Sequence, residues 1–374
     1  MSTEILADRP LRVAQVCRIG WPHIGGMESV VGGLSAALAA RGHTVKVLTL
    51  DAAITTGARL PRGIYGGVPY DRLPRVGPRR YPMALGLIPK LAGCDVVHVH
   101  GLDGLLHQAL AGRAVHGAKV GVTPHGGFLH TPRQRTLKQV WLRTGAGAAL
   151  RGADAVWYTS QADLEALKAA GADGMVLPDG VDVEAFAGVK RVPEPGRWLV
   201  FGRVDAHKGL DDLLTRLAAV AQHDPRPFQL RVVGPETDPG LSERLMAQAR
   251  TLGIGHRVRF TGAVTGDAIR MELSRCELAL FPSRYEGFGV AVVEAMAAGV
   301  PVIVNDIPPF RELIEDGKDG FIVQFRSSRS SQRIRKVRDD AQAVSAAARV
   351  SAARHGWSAR VGEWELAYRA LVNR

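Results

Sequence analysis

Arg203 and Lys208 stand in the segment Gly202-Arg-Val-Asp-Ala-His-Lys-Gly209, two cations in a short loop between a strand pattern and a helix pattern. A guanidinium grips phosphate oxygens with a planar fork, and an ammonium acts on them as a point charge. The positive end of the following helix adds to the same field, so the loop has the makings of a diphosphate site; a solvated turn with ordinary surface cations is the competing reading. A second constellation, Arg284-Tyr-Glu286-Gly-Phe-Gly289-Val290 running on to Glu294, follows another strand pattern. Gly287 and Gly289 permit close backbone approach and leave free amides at a helix start. Glu286 and Glu294 offer acceptors to sugar hydroxyls. Two glutamates eight residues apart arise easily by chance; the glycines and the strand-end placement carry the information.

Two weaker signals lie earlier. Gly25-Gly26 precedes a helical pattern beginning near Met27, so its amides could face a phosphate or an acceptor, although a plain tight turn is the commoner explanation. Pro124-His125-Gly126-Gly127 follows a strand pattern ending at Thr123 and aims an imidazole at the same region, where structural histidines outnumber catalytic ones. No Asp-X-Asp sequence occurs at a strand end, so no metal and no cofactor are expected. Leaving-group charge would instead be offset by Arg203, Lys208 and backbone amides.

These residues need a scaffold that exposes strand ends. Strand patterns are expected at 12–17, 44–50, 95–100, 119–123, 154–159 and 174–177, then at 198–202, 228–233, 258–260, 277–281, 301–304 and 321–323, with helical patterns between them. Alternation of this kind predicts an α/β fold of two Rossmann-like, parallel, doubly wound domains. The turn-rich stretch 185–196 reads as the linker. The expected domains are 1–190, 191–350 and a C-terminal helical segment, 351–374. Ligands of open α/β sheets bind beyond the carboxyl ends of the strands, so two facing domains would make one central cleft.

Composition agrees. A chain of 374 residues with 46% hydrophobic content exceeds one ordinary core. Cys17, Cys94 and Cys276 form no Cys-X-X-Cys pair, which argues against a disulfide framework or thiolate zinc site and fits a cytoplasmic setting. Neither 1–10 nor the apolar stretch 289–304, broken by Glu294, Gly299 and Pro301, reads as a signal peptide or a spanning helix. The formal charge of +12 favours polyanionic company: nucleic acid, anionic lipid or a phosphorylated substrate.

Taken in order, Gly25-Gly26-Met-Glu28, His125-Gly-Gly127, Gly202-Arg203 with Lys208-Gly209, and Glu286 through Glu294 resemble the retaining glycosyltransferases of family 4, which have the GT-B fold. The likeness runs from about residue 11 to 323. It implies that Arg203 and Lys208 bind a donor diphosphate and that Glu286 with the amides of Phe288, Gly289 and Val290 binds the transferred sugar. Glu294 would hold the ribose, Gly25 and Gly26 would lie near the phosphates, and His125 would sit beside the reacting sugar. The base would lie near Gly234, Gly262 and Val264. Retention through a front-face path, with the departing diphosphate helping to remove the acceptor proton, is likewise what the resemblance implies; it accounts for the lack of a two-carboxylate glycosidase arrangement.

The segments 17–26 and 123–131 are similar to those of bacterial exopolysaccharide α-mannosyltransferases, which implies GDP-mannose as donor and a polyprenyl-diphosphate-linked oligosaccharide as acceptor. An anionic membrane surface at the inner face of the cell membrane would then be a partner. Its local motive is a basic and apolar stretch holding Arg133, Arg135, Leu137, Lys138, Val140, Trp141 and Arg143, with Arg75, Arg79 and Arg80 in a Pro-rich loop. The departure from the family pattern is the basic, Ser-rich stretch 325–338, expected to interrupt a helix, whereas Trp357 and 364–368 read as a terminal helix. A transferase with a soluble acceptor, a nucleotide-sugar epimerase, and a nucleic-acid-binding protein remain as alternatives; no helix-turn-helix, zinc-finger or RNP-like motif supports the last.

Overall fold

The computed structural model describes residues 9–22, 25–52, 57, 59–78, 81–126 and 140–374. The chain divides into two compact units, one made of residues 1–181 and 357–374, the other of 182–356. The passage between them thus falls at Val181/Asp182, before the turn-rich stretch 185–196, and residues 351–356 lie with the second unit.

The first unit is built on strands β1 (Arg12–Val16), β2 (Thr44–Leu50), β3 (Gly63–Tyr65), β4 (Val68–Leu73), β5 (Arg75–Val76), β6 (Met83–Ala84), β7 (Val96–His100), β8 (Lys119–Thr123), β9 (Ala155–Tyr158) and β10 (Met175–Val176). Eight of them form one sheet in the order β10-β9-β8-β7-β1-β2-β4-β3. All neighbours are parallel except β3, which runs antiparallel to β4. The sheet is therefore not purely parallel, as the sequence pattern had predicted: a hairpin turned at Gly66-Gly67 extends one edge. Parallel strands covered on both faces read as continuous apolar runs, and β1, Arg-Val-Ala-Gln-Val, is buried from Val13 onward, its Gln15 included.

In the second unit, β11 (Arg197–Phe201), β12 (Gln229–Val233), β13 (Val258–Gly262), β14 (Leu278–Phe281), β15 (Val302–Asn305) and β16 (Phe321–Val323) form an all-parallel sheet ordered β13-β12-β11-β14-β15-β16. The order reverses at β11/β14, and the loops after these two strands carry Arg203, Lys208 and Glu286. A switch point of this kind is where open α/β sheets bind ligands.

The basic stretch 325–338 does not interrupt a helix; it enters one, Ser330–Asp340. Ile334 and Val337, three residues apart, bury one face against the core. Arginines of the run are matched to acids of the same unit: Arg326 to Asp212 at 3.2 Å, Arg333 to Asp316 at 2.5 Å. Arg338 is almost fully enclosed. It lies over the Trp198 ring, 5.4 Å from its centroid, and donates to the carbonyls of Arg226 and Pro227 at 3.2 and 2.9 Å. Three cations of the run, Arg326, Arg333 and Arg338, thus brace their own unit.

Candidate active site

The loop after β11 is shaped by its own side chains. Asp205 caps the short turn Ala206–Lys208, accepting from His207 Nδ1 at 2.7 Å and from Thr237 Oγ1 at 3.0 Å. The His207 hydrogen bond holds the Asp205 carboxyl well below the usual carboxylate range. Gly209, at φ 66°, then opens the helix Leu210–His223. Arg203 is exposed and makes no ion pair among the described residues.

Lys208 reaches across to the loop after β14, where its Nζ lies 2.6 Å from Glu286 Oε1. Ser283 Oγ donates to the same oxygen at 2.7 Å, and the Ser283 carbonyl is in turn held by Asn305 Nδ2 at 2.9 Å. Burial alone would push the Glu286 carboxyl up; the Lys208 charge and the two hydrogen bonds outweigh it and hold it below its ordinary value. Arg284 is engaged elsewhere, stitching the two loops together through Asp211 and Asp212 at 2.6 and 2.7 Å and through its amide to the His207 carbonyl at 2.8 Å.

Gly289, at φ 115°, begins the helix Val290–Ala297, with no side chain capping it, so the first amides of that helix lack intrahelical acceptors. A Cβ on Gly289 would come within 2.9 Å of the Phe310 ring. Phe288 itself is buried, edge-on to His355, which leaves its main chain as the part available to a ligand. Gly262, at φ 73°, ends β13, with half-buried Val264 two residues on; the Gly234 amide donates to the Gly262 carbonyl at 2.9 Å. The Gly202, Gly234 and Gly262 tips thus lie along one edge of the sheet.

Glu294 lies one turn into the helix Val290–Ala297. Burial, with a further contribution from the Asp182 charge, pushes its carboxyl from 4.5 up to about 8. The folded protein therefore keeps this proton where the unfolded chain has released it. The associated stability is complete below about pH 4.5 and is lost as pH rises through about 8. Glu294→Gln should gain in melting temperature relative to the parent as pH is raised across that window; equal melting curves at every pH would contradict it.

In the first unit Gly25, extended at φ −168°, caps the helix Gly26–Ala40. The Glu28 carboxylate leans over it, so close that a Cβ on Gly25 would meet Glu28 Oε2 at 2.2 Å, whereas a Cβ on Gly26 would meet nothing within 4 Å among the described residues. His125 follows β8 in a left-handed conformation, φ 54°, uncommon for a residue with a Cβ. Its Nε2 is 2.8 Å from His100 Nδ1, and its Nδ1 faces Asp179 Oδ2 at 3.5 Å. Gly127, Arg79, Arg80, Arg133, Arg135, Leu137 and Lys138 lie outside the described residues.

The residues named from sequence thus gather in two groups: Arg203, Lys208, Glu286, Gly289, Val290, Glu294, Gly262 and Val264 in the second unit, Gly25, Gly26 and His125 in the first. Sequence reasoning missed Ser283 and Asn305, and also His100 and Asp179. The signal for His100 was there: Val96-Val-His-Val-His100 places polar rings in a strand that packs on both faces. Among the described residues no cluster of three or more His, Cys, Asp or Glu is placed to hold a metal ion. Arg203→Ala should cut turnover roughly tenfold to a hundredfold, as expected for losing one charge-assisted contact to a leaving diphosphate, with an unchanged melting temperature. Unchanged turnover would remove Arg203 from the site.

Comparison with known proteins gives two family matches: residues 24–185 match Glycosyltransferase Family 4, and residues 181–354 match Glycosyl transferases group 1. A GDP-mannose:cellobiosyl-diphosphopolyprenol alpha-mannosyltransferase of Xanthomonas oryzae pv. oryzae is 34% identical over 84% of this chain and 83% of its own length. One from Xanthomonas campestris is 32% identical over 97% of each. A phosphatidyl-myo-inositol mannosyltransferase of Mycobacterium tuberculosis is 30% identical over 84% of this chain and 82% of its own. Among solved structures, a sucrose-phosphate synthase from Thermosynechococcus elongatus aligns with a TM-score of 0.78 at 21% identity, covering 96% of this chain and 99% of that one. Anabaena Alr3699/HepE in complex with UDP and glucose also scores 0.78, at 18% identity, covering 96% and 100%. These neighbours show the GT-B fold.

Proposed function

The chain belongs to the family 4 glycosyltransferases, and from that premise we propose that it moves mannose from GDP-mannose, with retention, onto a polyprenyl-diphosphate-linked oligosaccharide in exopolysaccharide biosynthesis. The observation that carries the reaction is the Lys208–Glu286–Ser283 cluster beside the open amides of Gly289 and Val290, at the switch point of the second sheet. Donor diphosphate charge is met by Arg203, Lys208 and the helix amides. Glu286 accepts from the sugar hydroxyls, its position fixed by Ser283 and Lys208, and Glu294 lies in reach of the ribose. Gly262 and Val264 border the base. Gly25, Gly26 and His125 serve the acceptor side and the reacting sugar. The relatives named for GDP-mannose and cellobiosyl-diphosphopolyprenol support this donor and acceptor over a soluble acceptor or an epimerase.

A lipid-linked acceptor calls for a membrane-facing surface. Among the described residues no helix is long and apolar enough to cross a membrane. In the first unit Val76, Met83, Leu85 and Val140 expose apolar side chains, with exposed Arg75 and Arg143 beside them in sequence. We place this surface against the anionic lipid of the inner membrane face. Thermal-shift titration against GDP-, UDP- and ADP-sugars tests the donor: GDP-mannose should raise the melting temperature most. Transfer should also survive excess EDTA. Preference for another nucleotide would overturn the donor assignment, and loss of transfer in EDTA with rescue by magnesium would overturn the charge assignment.

A further inference from the structure

Behind His125 the first unit holds an unbroken chain of polar side chains. Thr123 Oγ1 is 2.7 Å from His98 Nε2, and His98 Nδ1 is 2.7 Å from the Tyr368 hydroxyl. Tyr368 lies 3.1 Å from the Gln15 amide, whose other end is 2.8 Å from His100 Nε2. His100 Nδ1 then meets His125, which faces Asp179. Every link from Thr123 to His100 is buried, with His98, Gln15 and Tyr368 at 0% exposure. Asp179 is buried too, and its Oδ1 has no hydrogen-bond partner among the described residues.

At this depth each contact needs one donor and one acceptor. Burial keeps His98 and His100 neutral, because it holds their imidazoles well below the ordinary histidine range. A neutral imidazole has one donor and one acceptor, whereas the Gln15 amide donates only from Nε2 and accepts only at Oε1. Gln15 Nε2 donates to the Tyr368 hydroxyl and its Oε1 faces His100 Nε2, so His100 carries its proton on Nε2 and leaves Nδ1 as an acceptor toward His125. His125 Nε2 thus donates to His100, His100 to Gln15, Gln15 to Tyr368, Tyr368 to His98, and His98 to the Thr123 hydroxyl. Asp179 holds the other side of the His125 ring, its carboxylate 3.5 Å from Nδ1.

We propose that Asp179, His100 and Tyr368 are positioning residues: through this one-directional chain, anchored on the terminal helix Trp357–Val372, they orient the ring of His125, Nε2 toward His100 and Nδ1 toward Asp179, and hold the left-handed turn that carries it. The proposal rests on the reading that His125 serves the transfer step. It ties that step to the last helix of the chain, more than two hundred residues away in sequence.

The test is to record ring-nitrogen NMR shifts on the protein labelled with ¹⁵N-histidine, together with steady-state kinetics of Tyr368→Phe, His100→Asn and His125→Ala. His98 and His100 should share the Nε2–H tautomer in the parent. Tyr368→Phe removes one oxygen and keeps the ring packing; it should shift the His125 ring signals and lower kcat about tenfold, roughly one hydrogen bond's worth, with donor KM unchanged. A proton on Nδ1 of His98 or His100 in the parent would overturn the proposal, whatever the variants do. An impaired His125→Ala beside fully active Tyr368→Phe and His100→Asn would overturn it also. A fully active His125→Ala would instead defeat the transfer reading of His125, while a shared tautomer in the parent would still show the chain to be in place.

Discussion

Lys208→Ala should reduce turnover by about a hundredfold to a thousandfold, the usual consequence of removing one preorganised donor from developing negative charge. Lys208 has two duties. It is a cation for the departing diphosphate, and in the structure it also neutralises Glu286 at 2.6 Å. Without it, Glu286 keeps only the Ser283 hydrogen bond in a site that burial makes costly for a carboxylate. Glu286 should then shift its titration upward, and the low-pH limb of the rate profile should move with it. Because the two residues act as a unit, Lys208→Ala combined with Glu286→Gln should be little worse than Lys208→Ala alone. Measured kcat, KM and pH profiles for the three variants decide this. Multiplying losses would show that the two residues act separately.

Gly234→Ala should be the most damaging small substitution in the second unit. Gly234 sits at φ 147°, and a Cβ there would fall 1.8 Å from the Gly202 carbonyl oxygen, backbone against backbone at the tips of β12 and β11. Neither strand tip can retreat without disturbing the loop that carries Arg203 and Lys208, so a cost of about 3 kcal/mol or more is expected. Gly262→Ala is the control. It shares a positive φ, 73°, but a Cβ there meets nothing within 4 Å, so it should cost only about 1 to 2 kcal/mol. Denaturant unfolding of both variants measures the difference, and equal losses would mean that the Gly202–Gly234 approach is not what fixes the loop.

The strands that position this site were legible because they are fully buried and parallel, and so read as short apolar runs between turn residues; 44–50, 119–123 and 321–323 fall at their expected bounds. The hairpin β3–β4 was not legible. Gly66-Gly67 and Pro69 are turn and strand-breaking residue types, and β4 is held by pairing with β2 rather than by a local pattern. The helix Ser330–Asp340 was missed for a similar reason: its apolar content is only Ile334 and Val337, and its Arg333 and Arg338 are matched to acids outside the helix, Asp316, Asp224 and Glu277. Loop residues such as Arg203, Lys208 and Glu286 announced themselves by type and by strand-end placement. Their supports, Ser283, Asn305 and Asp179, did not, since a serine or an aspartate in a turn has many ordinary uses. Nor could the sequence show that Arg284, beside Glu286, is a brace rather than a ligand-binding cation.

The central claim is that this chain transfers mannose from GDP-mannose to a lipid-linked oligosaccharide, and it is met most directly by supplying both substrates. Purified protein incubated with GDP-mannose and cellobiosyl-diphosphopolyprenol should release GDP and add one hexose to the lipid-linked glycan, in α linkage by NMR, in the presence of EDTA. GDP release without a mass increase on the lipid-linked glycan, or transfer only to a soluble sugar, would contradict the account.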